Sequence, residues 1–267
     1  MLKLDRHAQA LLFACLVLGI GFASSILGGW FVEPYGWIPL VGAILVMVVC
    51  GDARTKAVSR TLGIRSPALQ AWAPAIAIPC FVLTAGYVVA AATGNARLGL
   101  GDTNPVTFAL VTIVIIALAS LEAIGEELGW RGYLLPRLSD LGRVRAGLIS
   151  GLLWATWHMP LIYIAAAYHG GARAVYMLPF GVTIVAMSFI ANELRVASGS
   201  SWPAVVFHGA HNGIWFQLGA LTLSSTGLLA GIGDESGFVP MTLYSLIAVW
   251  IVFRRPPWSL SIEAARP

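Results

Sequence analysis

The chain has 267 residues, of which 58% are hydrophobic and only 10% charged, with a mean hydropathy of +0.82. These values lie outside the range of soluble domains and assign most of the surface to lipid. The net charge of +4 and the pI near 9.2 come without a basic stripe interleaved with aromatics, so nothing in the pattern points to nucleic acid as a partner.

Crossing a hydrocarbon layer of ~30 Å at 1.5 Å per residue takes about 20 apolar residues. Eight runs approach that length, in chain order 8–32, 35–51, 68–93, 105–125, 146–168, 175–193, 202–220 and 239–253. They predict an all-α fold, a polytopic transmembrane helical bundle of about eight spans. The second run is short and contains Pro39. The first has a positive flank but continues without an A-x-A-like cleavage site, which predicts a retained span rather than a removable signal peptide. Cys15, Cys50 and Cys80 fall inside apolar runs with no C-x-x-C pairing, as expected of small buried hydrophobes.

Basic residues are retained on the cytoplasmic side of a membrane. With eight spans, fourteen of the sixteen Lys and Arg segregate to one side, leaving Arg97 and Arg173 on the other. That distribution predicts both termini cytoplasmic. No repeat or polar linker interrupts the spans, so 1–267 is expected to form a single membrane domain in contact with the lipid bilayer. Residues 52–67 form a basic cytoplasmic loop. Residues 221–238 form the longest external loop, expected to be a simple connection, and 256–267 a disordered tail.

Ionisable side chains at membrane depth cost ~2.5 kcal/mol or more each, so they face the bundle interior and mark function. Three places carry them. Glu122, Glu126, Glu127 and Arg131 lie at the cytoplasmic end of the fourth run; His158 lies in the fifth, four residues after Trp154; His208, His211 and Asn212 lie in the seventh. Helical spacing pairs Glu127 with Arg131, and an intrahelical ion pair is the structural explanation for both. Glu126 stands about 100° away, with Glu122 and Trp130 as its i±4 companions, an environment suited to a general acid or base. His208 and Asn212 share a face and can polarise a carbonyl together. A lone intramembrane histidine is commonly a helix-to-helix hydrogen bond, and His211 is expected to serve packing. His7 and His169, near span ends, receive no role. There is no H-E-x-x-H, no nucleophilic serine motif with a partner histidine, and no phosphate-cradling loop.

These residues resemble the CPBP family of intramembrane proteases, which includes CAAX prenyl endopeptidases of the Rce type and bacterial Abi and bacteriocin-immunity proteins. The E-E-x-x-x-R motif appears as Glu126, Glu127 and Arg131, in EELGWRGYLLPRL; F-x-x-x-H as Trp154 to His158, in LLWATWHMPL, with Trp for Phe; and H-x-x-x-N as His208 to Asn212, in AVVFHGAHNG. The resemblance covers 105–220, and the first 100 residues match only in being hydrophobic. The Trp is expected to narrow the pocket and change the chemistry little.

The resemblance implies hydrolysis of a peptide bond in a membrane-associated peptide or protein substrate, of which a prenylated CAAX peptide is the eukaryotic precedent. Glu126 and His158 would act on a water, His208 with Asn212 would stabilise the oxyanion, and Glu127 with Arg131 would hold the helix. A Zn²⁺ held by His158, His208 and a carboxylate is an alternative activator, and the residues suit a metal-independent route equally. For a bacterial member the location is the plasma membrane, with the site toward the cytoplasm. Two other functions remain compatible with buried Glu and His: a non-catalytic scaffold or immunity protein, and a proton-coupled transporter, the latter disfavoured by the absence of inverted repeats.

Overall fold

A computed structural model describes residues 2–28, 35–51, 55–168, 177–235 and 237–254. The tail 256–267 and His169 lie outside them. Eight helices of 13 residues or more correspond to the eight apolar runs: α1 (Arg6–Gly28), α2 (Ile38–Cys50), α3 (Trp72–Ala92), α4 (Pro105–Glu127), α5 (Gly142–Tyr168), α6 (Met177–Ser198), α7 (Trp202–Ala220) and α8 (Phe238–Arg254). Short helical segments, Thr55–Thr61, Leu135–Leu138 and Leu229–Ile232, join them.

Local signals start several of these helices. Pro105 stands in the first turn of α4, where a missing N–H costs nothing, and Asn104 caps it by accepting from the Val106 N–H at 2.8 Å. Pro39 and Pro203 hold the same position in α2 and α7.

Among the described residues, four stretches are long and apolar enough to cross a membrane: Arg6–Ile26, Leu69–Ala92, the continuous Pro105–Tyr163 and Met177–Ser198. Tyr35–Cys50 and Phe238–Arg254 are shorter apolar helices. The molecule is thus an all-α, multi-pass membrane bundle. Helix α7 is not among the apolar stretches, because it carries His208, His211, Asn212 and Gln217. It packs against α3, α4 and α6, and a helix shielded from lipid by its neighbours has no need of an apolar surface. The outer face of α4 is the opposite case, with Val106, Leu110, Ile113, Val114, Leu118 and Leu121 exposed as a lipid-facing stripe.

Close approach of α7 to α4 depends on glycine. A Cβ on Gly209 would overlap Ser120, and one on Gly213 would lie 2.9 Å from the Ile116 Cα. These glycines are four apart and face α4 residues four apart, the small-residue seam by which membrane helices bring their backbones together.

Three features depart from the sequence expectations. Past Glu127 the α4 helix widens into a π-helical turn, Leu128–Leu134, with the Leu135 N–H bonding the Trp130 carbonyl. Its seven residues are all buried, including Arg131. A two-stranded antiparallel ribbon joins Ala96–Leu98 to Thr222–Ser225, too short to register as alternation in the sequence. The 221–238 segment is more than a connection: Asp234 accepts from Tyr87 Oη at 3.3 Å, from the Trp215 indole and from the Glu235 N–H at 2.9 Å, which ties the segment to α3 and α7.

Candidate active site

Adjacent carboxylates at the end of α4 diverge to different helices. Glu126 points to α5, where its Oε2 accepts from Trp154 Nε1 at 2.7 Å and lies 3.9 Å from His158 Nε2. Glu127 points to α7, and its Oε1 accepts from Arg131 Nη1 at 2.9 Å and from His208 Nδ1 at 3.0 Å. The expected ion pair is therefore present, but it is one half of an Arg131–Glu127–His208 bridge that links the π turn to α7.

Accessibility separates the two acids. The side chains of Glu127 and Arg131 are sealed at 0% exposure, whereas those of Glu126 and His158 keep 11% and 15%. A group that must meet water needs such an opening; Glu126 and His158 have it, and Glu127 with Arg131 form a sealed frame. The frame is imperfectly satisfied: Glu127 Oε2 and the Nε and Nη2 of Arg131 are buried without a hydrogen bond. Stacking offsets part of that cost, since Arg131 Cζ lies 4.2 Å from the centroid of the Trp154 ring.

The histidine tautomers follow from their partners. His158 Nδ1 lies 3.0 Å from the Trp154 carbonyl, which can only accept, so Nδ1 carries the proton and Nε2 presents a lone pair toward Glu126. Two acceptors facing each other at 3.9 Å call for a shared donor between them, a water or a protonated acid. His208 donates Nδ1–H to a carboxylate, so in its neutral form Nε2 is also an acceptor. It can donate to an oxyanion only as an imidazolium, for which Glu127 is the counter-charge. Asn212, one turn further along α7, is half-buried and forms no hydrogen bond with a described residue.

Trp154 is central to this arrangement. Its ring centroid stands 5.9 Å from that of His158 and 5.2 Å from that of His208, with Arg131 over its face and Glu126 on its N–H. That N–H is a donor to Glu126 that phenylalanine lacks, a contact the motif spacing does not reveal. Glu122, expected beside Glu126, is instead turned outward and exposed. Trp130 stacks edge-on with Phe13 and Trp157 and makes no contribution to the acid.

Residues outside the three motifs complete the walls. Tyr35 donates its hydroxyl to the Trp157 carbonyl at 2.7 Å and stacks on that indole at 4.3 Å. The Gly36 backbone runs beside Glu126, close enough that a Cβ there would sit 3.7 Å from Oε1. From the other end of the chain, Tyr244 Oη pairs with His211 Nδ1 at 2.9 Å, and Glu235 Oε2 lies 3.7 Å from His211 Nε2. His211 thus has partners that its spacing on α7 does not reveal, because both come from beyond residue 220.

Among the described residues no three His, Cys, Asp or Glu side chains converge as a metal-ligand set. Glu127 is committed to Arg131 and His208, and only Glu126 stands near the free nitrogen of His158. As placed, the described residues do not form the three-ligand set that the resemblance allows for zinc.

Residues 107–214 match the Type II CAAX prenyl endopeptidase Rce1-like family, a stretch that contains all three motifs. Over that stretch the chain is similar to the Rce1-like family. A CAAX prenyl protease 2 of Methanococcus maripaludis is 31% identical over 107 residues, which cover 38% of this chain and 40% of that protein. The likeness therefore spans less than half the length of that relative. Within the matched stretch lie Glu126, Glu127, Arg131, Trp154, His158, His208 and Asn212; Tyr35, Gly36, Glu235 and Tyr244 approach it from outside.

Proposed function

We propose that the protein is an intramembrane endopeptidase that hydrolyses a peptide bond near the C-terminus of a membrane-associated, CAAX-type substrate. The observation that carries this is the Glu126 carboxylate facing the unprotonated Nε2 of His158 at 3.9 Å, both partly open, beside an acid that is sealed. A water between them loses its proton to Glu126 while its oxygen attacks the scissile carbonyl. The oxyanion that forms takes hydrogen bonds from His208, as imidazolium, and from the Asn212 amide. When the C–N bond breaks, the proton held by Glu126 passes to the leaving amine, and the carboxylate is restored.

The lipid-facing surroundings support a hydrophobic substrate. An apolar cleft of about 540 Å³ between α5, α6 and α8 is lined by Leu152, Ala155, Met159, Val182, Ala186 and Val249, and Met159 adjoins His158 in sequence. It suits the hydrocarbon part of a lipidated peptide. We assign all eight helices to the membrane, with both termini and the Glu126 end of α4 on the cytoplasmic face of a plasma membrane, from the one-sided distribution of Lys and Arg.

The deciding experiment incubates the purified full-length chain in detergent or nanodiscs with farnesylated and unlipidated CAAX peptides and reads products by mass spectrometry. Cleavage of the farnesylated peptide, abolished by Glu126→Gln, is expected. No cleavage by wild type, together with full biological rescue by the Glu126→Ala/His158→Ala double variant, would assign the fold to a scaffold or immunity role instead.

A further inference from the structure

Away from the candidate active site, Arg195 and Arg65 stand on adjoining turns where α6 ends and α7 begins, and among the described residues no acid pairs with either. Arg195 lies in the last turn of α6 and is 8% exposed. Its Nε is buried without a hydrogen bond, and no carboxylate among the described residues pairs with it. The guanidinium lies flat on Gly63, where a Cβ would come within 2.7 Å of Cζ, Nε and Nη2. The charged neighbour acting on it is Arg65, another cation. Arg65 is exposed and anchored through Nε to the Gly199 carbonyl at 2.6 Å, and a Cβ on Gly199 would overlap its guanidinium.

The frame around the two arginines is rigid. Gly63 and Gly199 both adopt left-handed backbone, φ +66° and +63°, which a side chain would strain. The two turns are cross-linked: the Ser201 N–H donates to the Gly63 carbonyl at 3.0 Å, Ser201 Oγ to Leu62 O at 2.7 Å, and Ser200 Oγ to Arg65 O at 2.6 Å. Burying a cation without a counter-charge is unfavourable, and setting a second cation beside it adds repulsion. A protein keeps such a pair in a fixed frame when an anion completes it. Guanidinium forks match the oxygens of phosphate, and these two sit at the end of an apolar helix, on the side to which the proposed topology assigns fourteen of the sixteen basic residues.

We propose that Arg195 and Arg65 form a phosphate-binding site, filled by the headgroup of an anionic phospholipid. Phosphatidylglycerol has the shared chemistry in a lipid; inorganic phosphate has it free in solution. The site is independent of peptide hydrolysis.

The test measures the thermal midpoint of the purified full-length chain in phosphatidylcholine nanodiscs, in nanodiscs containing phosphatidylglycerol, and in the first with inorganic phosphate added. The variants are Arg65→Gln, which is exposed and leaves the buried frame intact, Arg195→Gln, and Arg97→Gln as a control for general surface charge. Wild type and Arg97→Gln are expected to gain several degrees with phosphatidylglycerol, and Arg65→Gln to lose most of that gain. A gain from the lipid alone identifies a headgroup site, and an equal gain from inorganic phosphate a free-anion site. If Arg195→Gln does not fold, the Arg65→Gln result decides. No gain in wild type, or the same gain in Arg65→Gln as in Arg97→Gln, overturns the assignment.

Discussion

The indole N–H of Trp154 donates to Oε2 of Glu126 across 2.7 Å, so the residue that departs from the family's aromatic motif is the one that grips the proposed base. A hydrogen bond to a carboxylate is worth about 1.5–3 kcal/mol. Trp154→Phe keeps the ring against His158 and His208 but removes the donor. It is expected to lower kcat about 10- to 100-fold with KM and the thermal midpoint near wild type. Trp154→Ala should lower both kcat and the midpoint, since it also unstacks Arg131. Equal activity in Trp154→Phe and wild type would reduce the indole to a space-filler.

Glu126→Gln removes the proton acceptor without removing bulk. The expected loss in kcat is about 10²–10⁴-fold, with little change in thermal midpoint. His158→Gln should behave in the same way, and the double variant should lose little more than either single one, because the two act on one water.

Glu127 and Arg131 predict the opposite balance. Removing one partner of a sealed pair leaves an uncompensated buried charge and costs about 3–5 kcal/mol. Glu127→Gln should therefore lower the thermal midpoint far more than Glu126→Gln. Adding Arg131→Met to Glu127→Gln should recover part of the loss, a double-mutant cycle that a pair of independent residues would not show.

The glycine seam between α4 and α7 is testable through Gly209→Ala and Gly213→Ala. Each forces the helices apart at a cost of about 1–3 kcal/mol, and each flanks a residue of the proposed oxyanion pair, His208 and Asn212. Loss of midpoint and of activity together is expected, while Gly219→Ala, which meets nothing within 4 Å, should match wild type.

Burial and the neighbouring charge of Glu235 push the carboxyl of Asp234 above its ordinary value. A raised acid favours the folded state most when protonated, so its contribution is fully present below the ordinary carboxylate range and is lost as pH rises through the raised value. Asp234→Asn should flatten the decline of thermal midpoint over that interval. An unchanged profile would show that Asp234 does not titrate in the folded chain.

Much of the site was legible because helical spacing is local. Glu127 and Arg131, four apart, pair as expected, and the 100° step between Glu126 and Glu127 does send them to different helices. What spacing on one helix cannot reveal is which neighbour waits across the gap. Trp154 on Glu126, His208 on Glu127 and Tyr244 on His211 are all contacts between helices, and the first uses an indole N–H that the aromatic motif does not require. Glu122 shows the converse error, since i+4 spacing from Glu126 says nothing of a helix face that turns to the outside. The π turn leaves no composition signal, although all seven of its residues, Arg131 among them, are buried.

Tyr35 and Gly36 lie far upstream of the Rce1-like stretch, and Tyr244 lies downstream, yet all three touch residues of the site or the helices that carry it. The motif-bearing segment supplies the reagents and the flanks supply the vessel. A chimera that transplants only 107–214 into a related scaffold would carry every recognisable catalytic side chain and still leave Glu126 without its Gly36 wall, Trp157 without its Tyr35 stack and His211 without its phenol. Sequence change in these flanks, where no motif warns of it, is therefore a route by which members sharing one chemistry can drift apart in what they admit to it.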